Sequence, residues 1–209
     1  MINAQKPTIV LAMIDTIDGN AKYLSEIDGY TGDGDHGNNM KKGFLIARSA
    51  IGENDSLRDA MMTLAMVLID DIGGSMGPIY GTFFRKLAKP LRKDSVDEYD
   101  ILEGLEAALA AICDLAGAQV GDKTLVDTLS PAVQQLREAT IDGLNFESSM
   151  NALKSGAREG WESTKNLQAK LGRAARLGER SIGYYDAGAT SCFLLIETLV
   201  EQALLESGT

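Results

Sequence analysis

The sequence predicts an all-α protein: eight helices in an up-and-down antiparallel barrel or bundle, with a binding site at one end. Three observations lead there. Apolar residues recur at three- and four-residue spacing, the mark of one buried helix face. No stretch shows a convincing period-two alternation, so no strand is expected. Short loops separate most of the periodic stretches, and short connections favour antiparallel neighbours. Start and stop signals place the helices at roughly 6–27, 38–51, 56–71, 77–89, 97–116, 123–139, 146–169 and 188–206.

In chain order, the first helix runs into the loop "EIDGYTGDGDHGNNM" at 26–40, from which the second emerges. An ordinary turn, "IGENDS", leads into the third. "DIGGSMGP" precedes the fourth, where Pro78 suits the first helical turn. The fifth, "DEYDILEGLEAALAAICDLA", repeats Ile101, Leu105, Ala108, Leu109 and Ile112 on one face. "VGDKT" leads into the sixth, with Asp122 expected as its N-cap. The seventh shows Phe146, Met150, Leu153, Ala157 and Trp161 at helical spacing. The longest connection, 170–187, enters the eighth.

The chain has 209 residues and is 44% hydrophobic, enough for one sizeable core, so residues 1–209 are read as a single domain. Net charge is −10 and the pI is about 4.6. With no Lys/Arg run, a nucleic-acid partner is excluded. An anionic ligand would need a cation or helix N-termini to be held here. Cys113 and Cys192 lie in apolar helical patterns without metal-type spacing and are expected as buried reduced thiols. There is no charged start followed by an apolar run, and no uninterrupted apolar span long enough for a membrane. A cytoplasmic protein without a membrane partner is expected.

Alternating helices have a consequence. The starts of the second, fourth, sixth and eighth fall at one end, and the unusual loops precede these four. A site there faces several helix N-termini, which suits phosphate.

The first loop carries Asp28, Asp33 and Asp35 among four glycines. Three hard oxygen ligands without Cys or His partners suit Mg²⁺ or Ca²⁺. An EF-hand is ruled out: counted from Asp33, the sixth residue is Asn38 and the twelfth Phe44, where glycine and glutamate are needed. By composition alone the stretch is equally an acidic surface turn with an Asx cap on the next helix. Gly73, Gly74 and Gly77 allow close backbone approach or a plain helix–helix turn, and no Walker A spacing is present. Lys123 is either a phosphate contact or a solvated lysine at a helix start. The 170–187 connection, with Arg173, Arg176 and Arg180, reads as a phosphate-clamping lid or as a flexible exposed loop. His36 can hydrogen-bond a backbone group or a phosphate, and a phosphohistidine is disfavoured.

Together, "GDGDHGNNM" at 32–40, "GGSMGPIYGTFF" at 73–84, "GDKTLVD" at 121–127 and "GRAARLGERSIGYYDAGATS" at 172–191 resemble the nucleotide-binding L subunit of dihydroxyacetone kinase, in the family's order and over nearly the whole chain. The resemblance implies a barrel of eight antiparallel helices with ADP or ATP at one end, held through two Mg²⁺ ions on Asp28, Asp33 and Asp35. It implies that His36, Gly37, Asn38 and Asn39 lie against the phosphates, that Ser75, Met76 and Leu125 lie by the nucleotide, and that Arg173 and the turn Asp186-Ala187-Gly188 close over it. Ala187 stands where some members have proline. A further glycine position near the nucleotide falls at Ala116 or Gly117.

By resemblance the chain is a phosphotransferase subunit. The three aspartates and Arg173 serve catalysis by neutralising and positioning charge. No residue here suggests a covalent anchor for a triose, and the resemblance implies that dihydroxyacetone sits on a separate K subunit. ADP that stays bound is rephosphorylated by a phosphocarrier M subunit of the phosphoenolpyruvate-dependent phosphotransferase system. The alternative is an ATP-dependent kinase for dihydroxyacetone or another short ketose such as erythrulose. The chain also leaves room for a homodimer.

Overall fold

Eight α-helices run through the described residues, 1–208, of a computed structural model. They are α1 (Thr8–Thr31), α2 (His36–Ala50), α3 (Leu57–Asp71), α4 (Met76–Ala88), α5 (Glu98–Ala116), α6 (Leu125–Ile141), α7 (Phe146–Ser163) and α8 (Ala187–Ser207). Each packs on the next, and α8 returns to α1, so the ring closes. The expected all-α barrel is therefore the fold. One apolar cluster draws on all eight helices, with Phe44, Phe84, Met13, Leu129 and Val200 among its fully buried members. Helix α8 is by length and composition apolar enough to cross a membrane, but α1, α6 and α7 pack around it and most of that stretch is buried.

Several boundaries differ from expectation. Helix α1 runs four residues further, so Asp28 stands on its last turn and not in a loop. Helix α7 stops at Ser163, six residues early. There the Ser163 and Thr164 hydroxyls donate to the carbonyls of Gly160 and Trp161, competing with the helix ladder, and the chain tightens into a 3-10 turn over Thr164–Asn166. Asp122 does not cap α6. Thr124 does, in a capping box with Asp127, while Asp122 accepts from the Gln119 N–H in the preceding turn. Cys192 is buried as expected, but Cys113 is partly exposed, and both are free.

Two short strands, β1 (Ile2–Asn3) and β2 (Ser95–Val96), pair antiparallel, against the expectation of none. Two residues each are too few to leave a period in the sequence. The same segment continues as Ala4, which bonds Asp94 and Leu57 and so ties together the approaches to α3 and α5. At the α6–α7 contact, Pro131 denies the Asp127 carbonyl its helical partner, and Gly160 of α7 sits directly on that carbonyl.

Candidate nucleotide and metal site

One cavity of about 600 Å³ is framed by the starts of α2, α4, α6 and α8, the ends of α1 and α5, and the strap 164–186 that links α7 to α8. Even-helix starts meeting odd-helix ends is what alternating helices require. Twelve of the fourteen residues expected at the site line this cavity: Asp28, Asp33, Asp35, His36, Asn39, Ser75, Met76, Leu125, Arg173, Asp186, Ala187 and Gly188. Gly37 and Asn38 do not. His36 and Asn39 are three apart and share a helix face, whereas the exposed Asn38 opens onto a shallow groove with Asp18 and Lys41. Gly37 is buried against α1: a Cβ there would run into the Ala21 carbonyl and the Ser25 nitrogen.

The carboxylates of Asp28, Asp33 and Asp35 converge, one oxygen of each lying within 4.8 Å of the others. They reach that point from three places: the last turn of α1, the connecting loop, and the N-cap position of α2. Asp35 does not cap α2 through its side chain. Instead Asp28 reaches back, its Oδ2 accepting from the His36 N–H at 3.2 Å. The Asx-cap reading of this stretch is thus replaced by a carboxylate trio. Arg173 crosses from the strap and pairs with Asp33 and, at 3.4 Å, with Asp35. One guanidinium offsets one of three charges, and the remaining excess, presented by oxygen alone, suits a hard divalent cation.

Helices α2 and α4 both begin without a side-chain cap, at Asp35 and Ser75, whereas Thr124 and Asp186 cap α6 and α8. Apart from the His36 N–H, which Asp28 holds, these two starts leave first-turn N–H groups without a side-chain acceptor from their own N-cap residue, which suits an anion. Apolar Met76 and Ile79 of the α4 start, Leu115 and Ala116 at the end of α5, Ala118, and Leu125 at the start of α6 line the same cavity. Of the two candidates for the unassigned glycine position, Ala116 lines the cavity, while Gly117 ends α5 in the left-handed region at φ 62°.

His36 is more constrained than sequence reasoning foresaw. Its Nε2 lies 2.9 Å from Ser191 Oγ, which lies 2.5 Å from the hydroxyl of buried Tyr80. Tyr80 also donates to the Gly188 carbonyl. Burial lowers the imidazole below its ordinary pKa, against the raising effect of Asp28 and Asp35, which favours the neutral ring. Tyr80 and Ser191 lie inside two of the quoted motifs, but nothing in the sequence singled them out or paired them across helices far apart in the chain.

Lys123 lines the cavity but is not a solvated lysine. It is buried, with φ 63°, and its ammonium donates to the carbonyls of Leu167, Ser181 and Tyr184. Nor is 170–187 a bare flexible loop: Arg173–Ser181 forms 3-10 turns, broken by the non-helical backbone of Gly178.

Asp186 caps α8 by accepting from the Ala189 N–H at 2.7 Å. Burial pushes its carboxyl up to about 6; the cap bond and Lys123 pull it down, and Asp127 and Asp28 push it up. Because the folded value lies above the ordinary 3.8, the stability this carboxyl contributes is full below that pH and is lost as the pH rises through about 6. Asparagine caps equally well without charge. Metal-free Asp186→Asn should therefore melt higher than the parent at pH 7.5, and the two should converge as the pH falls toward 4. Thermal melts in chelator across this range check it, and a higher-melting parent at pH 7.5 would refute it.

Such a helical ring, with helix starts and carboxylates converging on one cavity, matches a known class: residues 30–201 match the DAK2 domain (Dak2), and the chain belongs to that family. It is similar to the ADP-binding subunit DhaL of a PTS-dependent dihydroxyacetone kinase from Lactococcus lactis subsp. lactis (strain IL1403), 36% identical over 187 residues, 88% of this chain and 90% of that protein. It is also similar to a D-erythrulose kinase from Mycolicibacterium smegmatis (strain ATCC 700084 / mc(2)155), 32% identical over 94% of this chain and 35% of that protein. The native crystal structure of the dihydroxyacetone kinase of C. freundii matches the fold with a TM-score of 0.69 at 25% identity, covering 96% of this chain and 35% of that one. The chain thus spans about a third of the length of these last two proteins.

Proposed function

We propose that this chain is the ADP/ATP-binding domain of a phosphotransferase that phosphorylates dihydroxyacetone. The observation that carries the reading is one cavity lined both by a carboxylate trio and by a set of apolar side chains. A magnesium nucleotide has two matching parts: a charged, cation-bound phosphate chain and a flat apolar base. Relatives named as an ADP-binding subunit and as a ketose kinase support the same chemistry.

Asp28, Asp33 and Asp35 would hold two Mg²⁺ ions, which when bound neutralise the phosphate oxygens and polarise the γ-phosphoryl. His36 and the starts of α2 and α4 orient the phosphates. The apolar side chains receive the base. Arg173 turns from Asp33 and Asp35 toward the charge that develops on transfer. Dihydroxyacetone would arrive on a separate K subunit, and a phosphocarrier M subunit would recharge bound ADP, all in the cytoplasm and within one domain spanning 1–209. A second reading, an ATP-dependent kinase acting on dihydroxyacetone or erythrulose, draws on the similarity to the erythrulose kinase.

Native mass measurement of the gently purified protein tests both. Retained ADP, one per chain, that resists exchange with ATP is expected for the phosphocarrier-fed enzyme. Rapid exchange selects the second reading. A protein that retains none and shows no magnesium-dependent ADP binding would refute nucleotide binding altogether.

A further inference from the structure

We propose that Lys123 is a positioning residue: its ammonium clasps the strap 164–186 to the α5–α6 connection, and this clasp sets how long a nucleotide stays in the cavity. The inference rests on the nucleotide-binding reading above.

Lys123 is 2% exposed and is the one non-glycine residue at positive φ among the described residues. That backbone conformation is unfavourable for a side-chain-bearing residue, and here it sits where the ammonium enters the strap. The Nζ donates to Leu167 O at 3.1 Å, Ser181 O at 2.5 Å and Tyr184 O at 2.7 Å. An ammonium has three protons, and all three are used. The three carbonyls belong to both limbs of the strap, before and after Arg173, so one cation gathers the base of the loop. Next to it the Lys170 N–H donates to the Asp122 carbonyl at 3.1 Å, and the Lys170 ammonium lies 3.4 Å from the Asp122 carboxylate. Within the strap, Gly183 N–H donates to Lys165 O and Ala169 N–H to Ser181 Oγ.

The tip of this strap is a wall of the cavity, through Leu171 and Arg173. The strap is anchored at both places: Arg173 holds the tip to the acidic loop, and Lys123, beside the Lys170–Asp122 contacts, holds the base. The tip contact must loosen whenever Arg173 leaves Asp33 and Asp35. Lys123 then remains to keep the strap over the bound molecule, and its loss should accelerate escape more than arrival.

Stopped-flow release and association of a fluorescent ADP analogue, with magnesium, separates these. Lys123→Met should raise the release rate about tenfold or more, and leave association within about twofold. Lys123→Gln, which retains two of the three donors, should fall between. Hydrogen exchange should quicken over 165–185 and not in the helical core. Val96→Ala, a core truncation at β2, controls for general destabilisation and should leave release unchanged. In the unmodified protein, acetylation of Lys123 should be far slower than that of Lys22, whose side chain is 91% exposed. ADP should slow it further, because coupling between two equilibria is reciprocal. This last arm needs no variant to fold. Unchanged release in folded Lys123→Met, equal acceleration in Val96→Ala, or Lys123 labelling indifferent to ADP would each overturn the proposal. A parent that binds no ADP would remove the nucleotide reading and this inference with it, while faster strap exchange in Lys123→Met would still distinguish a real clasp from none.

Discussion

Asp33→Ala should fold like the parent and lose magnesium-dependent ADP binding by more than ~100-fold, beyond the 10–100-fold that changes around a metal site's outer shell cost. Asp33 is exposed and lies in the turn between α1 and α2, so its truncation leaves the core intact. It removes one of three carboxylates that converge within 4.8 Å, and it also removes a partner of Arg173. Two carboxylates with a guanidinium beside them hold a divalent cation far less well than three. Titration calorimetry with ADP, in magnesium and in chelator, gives the result directly. Equal affinity of parent and variant in magnesium would sink the metal-nucleotide reading.

Gly37→Ala should lower stability by about 2–3 kcal/mol, or roughly 5–10 °C in melting temperature for a chain of this size. The added methyl meets the backbone of α1 at Ala21 and Ser25, which cannot rotate away as a side chain would. Relief requires the start of α2 to move off α1. That same start carries His36, whose N–H is held by Asp28, so ADP affinity should fall together with stability. Urea unfolding and the same titration check both. A variant that melts within a degree of the parent would show that the α1–α2 contact yields easily.

Much of the site was legible because its residues are clustered by motif. The acidic loop places its three aspartates within eight residues, and turn chemistry announces the starts of the even helices. Alternation of eight helices then brings those starts together, as the cavity confirms. Two of the expected positions fall outside the cavity lining for a local reason. Gly37 and Asn38 belong to the same motif as His36, but a helix turns each successive residue to a new face, and only His36 and Asn39 remain on the cavity side.

The Asp122 expectation failed, and the burial of Lys123 went unforeseen, for a different reason. In "GDKT" Asp122 was the expected N-cap, but the capping box with Asp127 selects Thr124. Lys123 looked like any polar residue at a helix start. Its partners lie 44, 58 and 61 residues away, beyond any local pattern. The His36–Ser191 pair, 155 residues apart, was invisible for the same reason.

Taken alone, the sequence determined the helical class, the number of helices and the end at which the loops gather, because apolar period and turn residues act over a few positions. Tertiary structure alone decided which carboxylates face one another, which lysine is buried, and where glycine is required. Those outcomes depend on how close two backbones approach and on which distant carbonyls need a donor. A ring of helices settles both only when it closes.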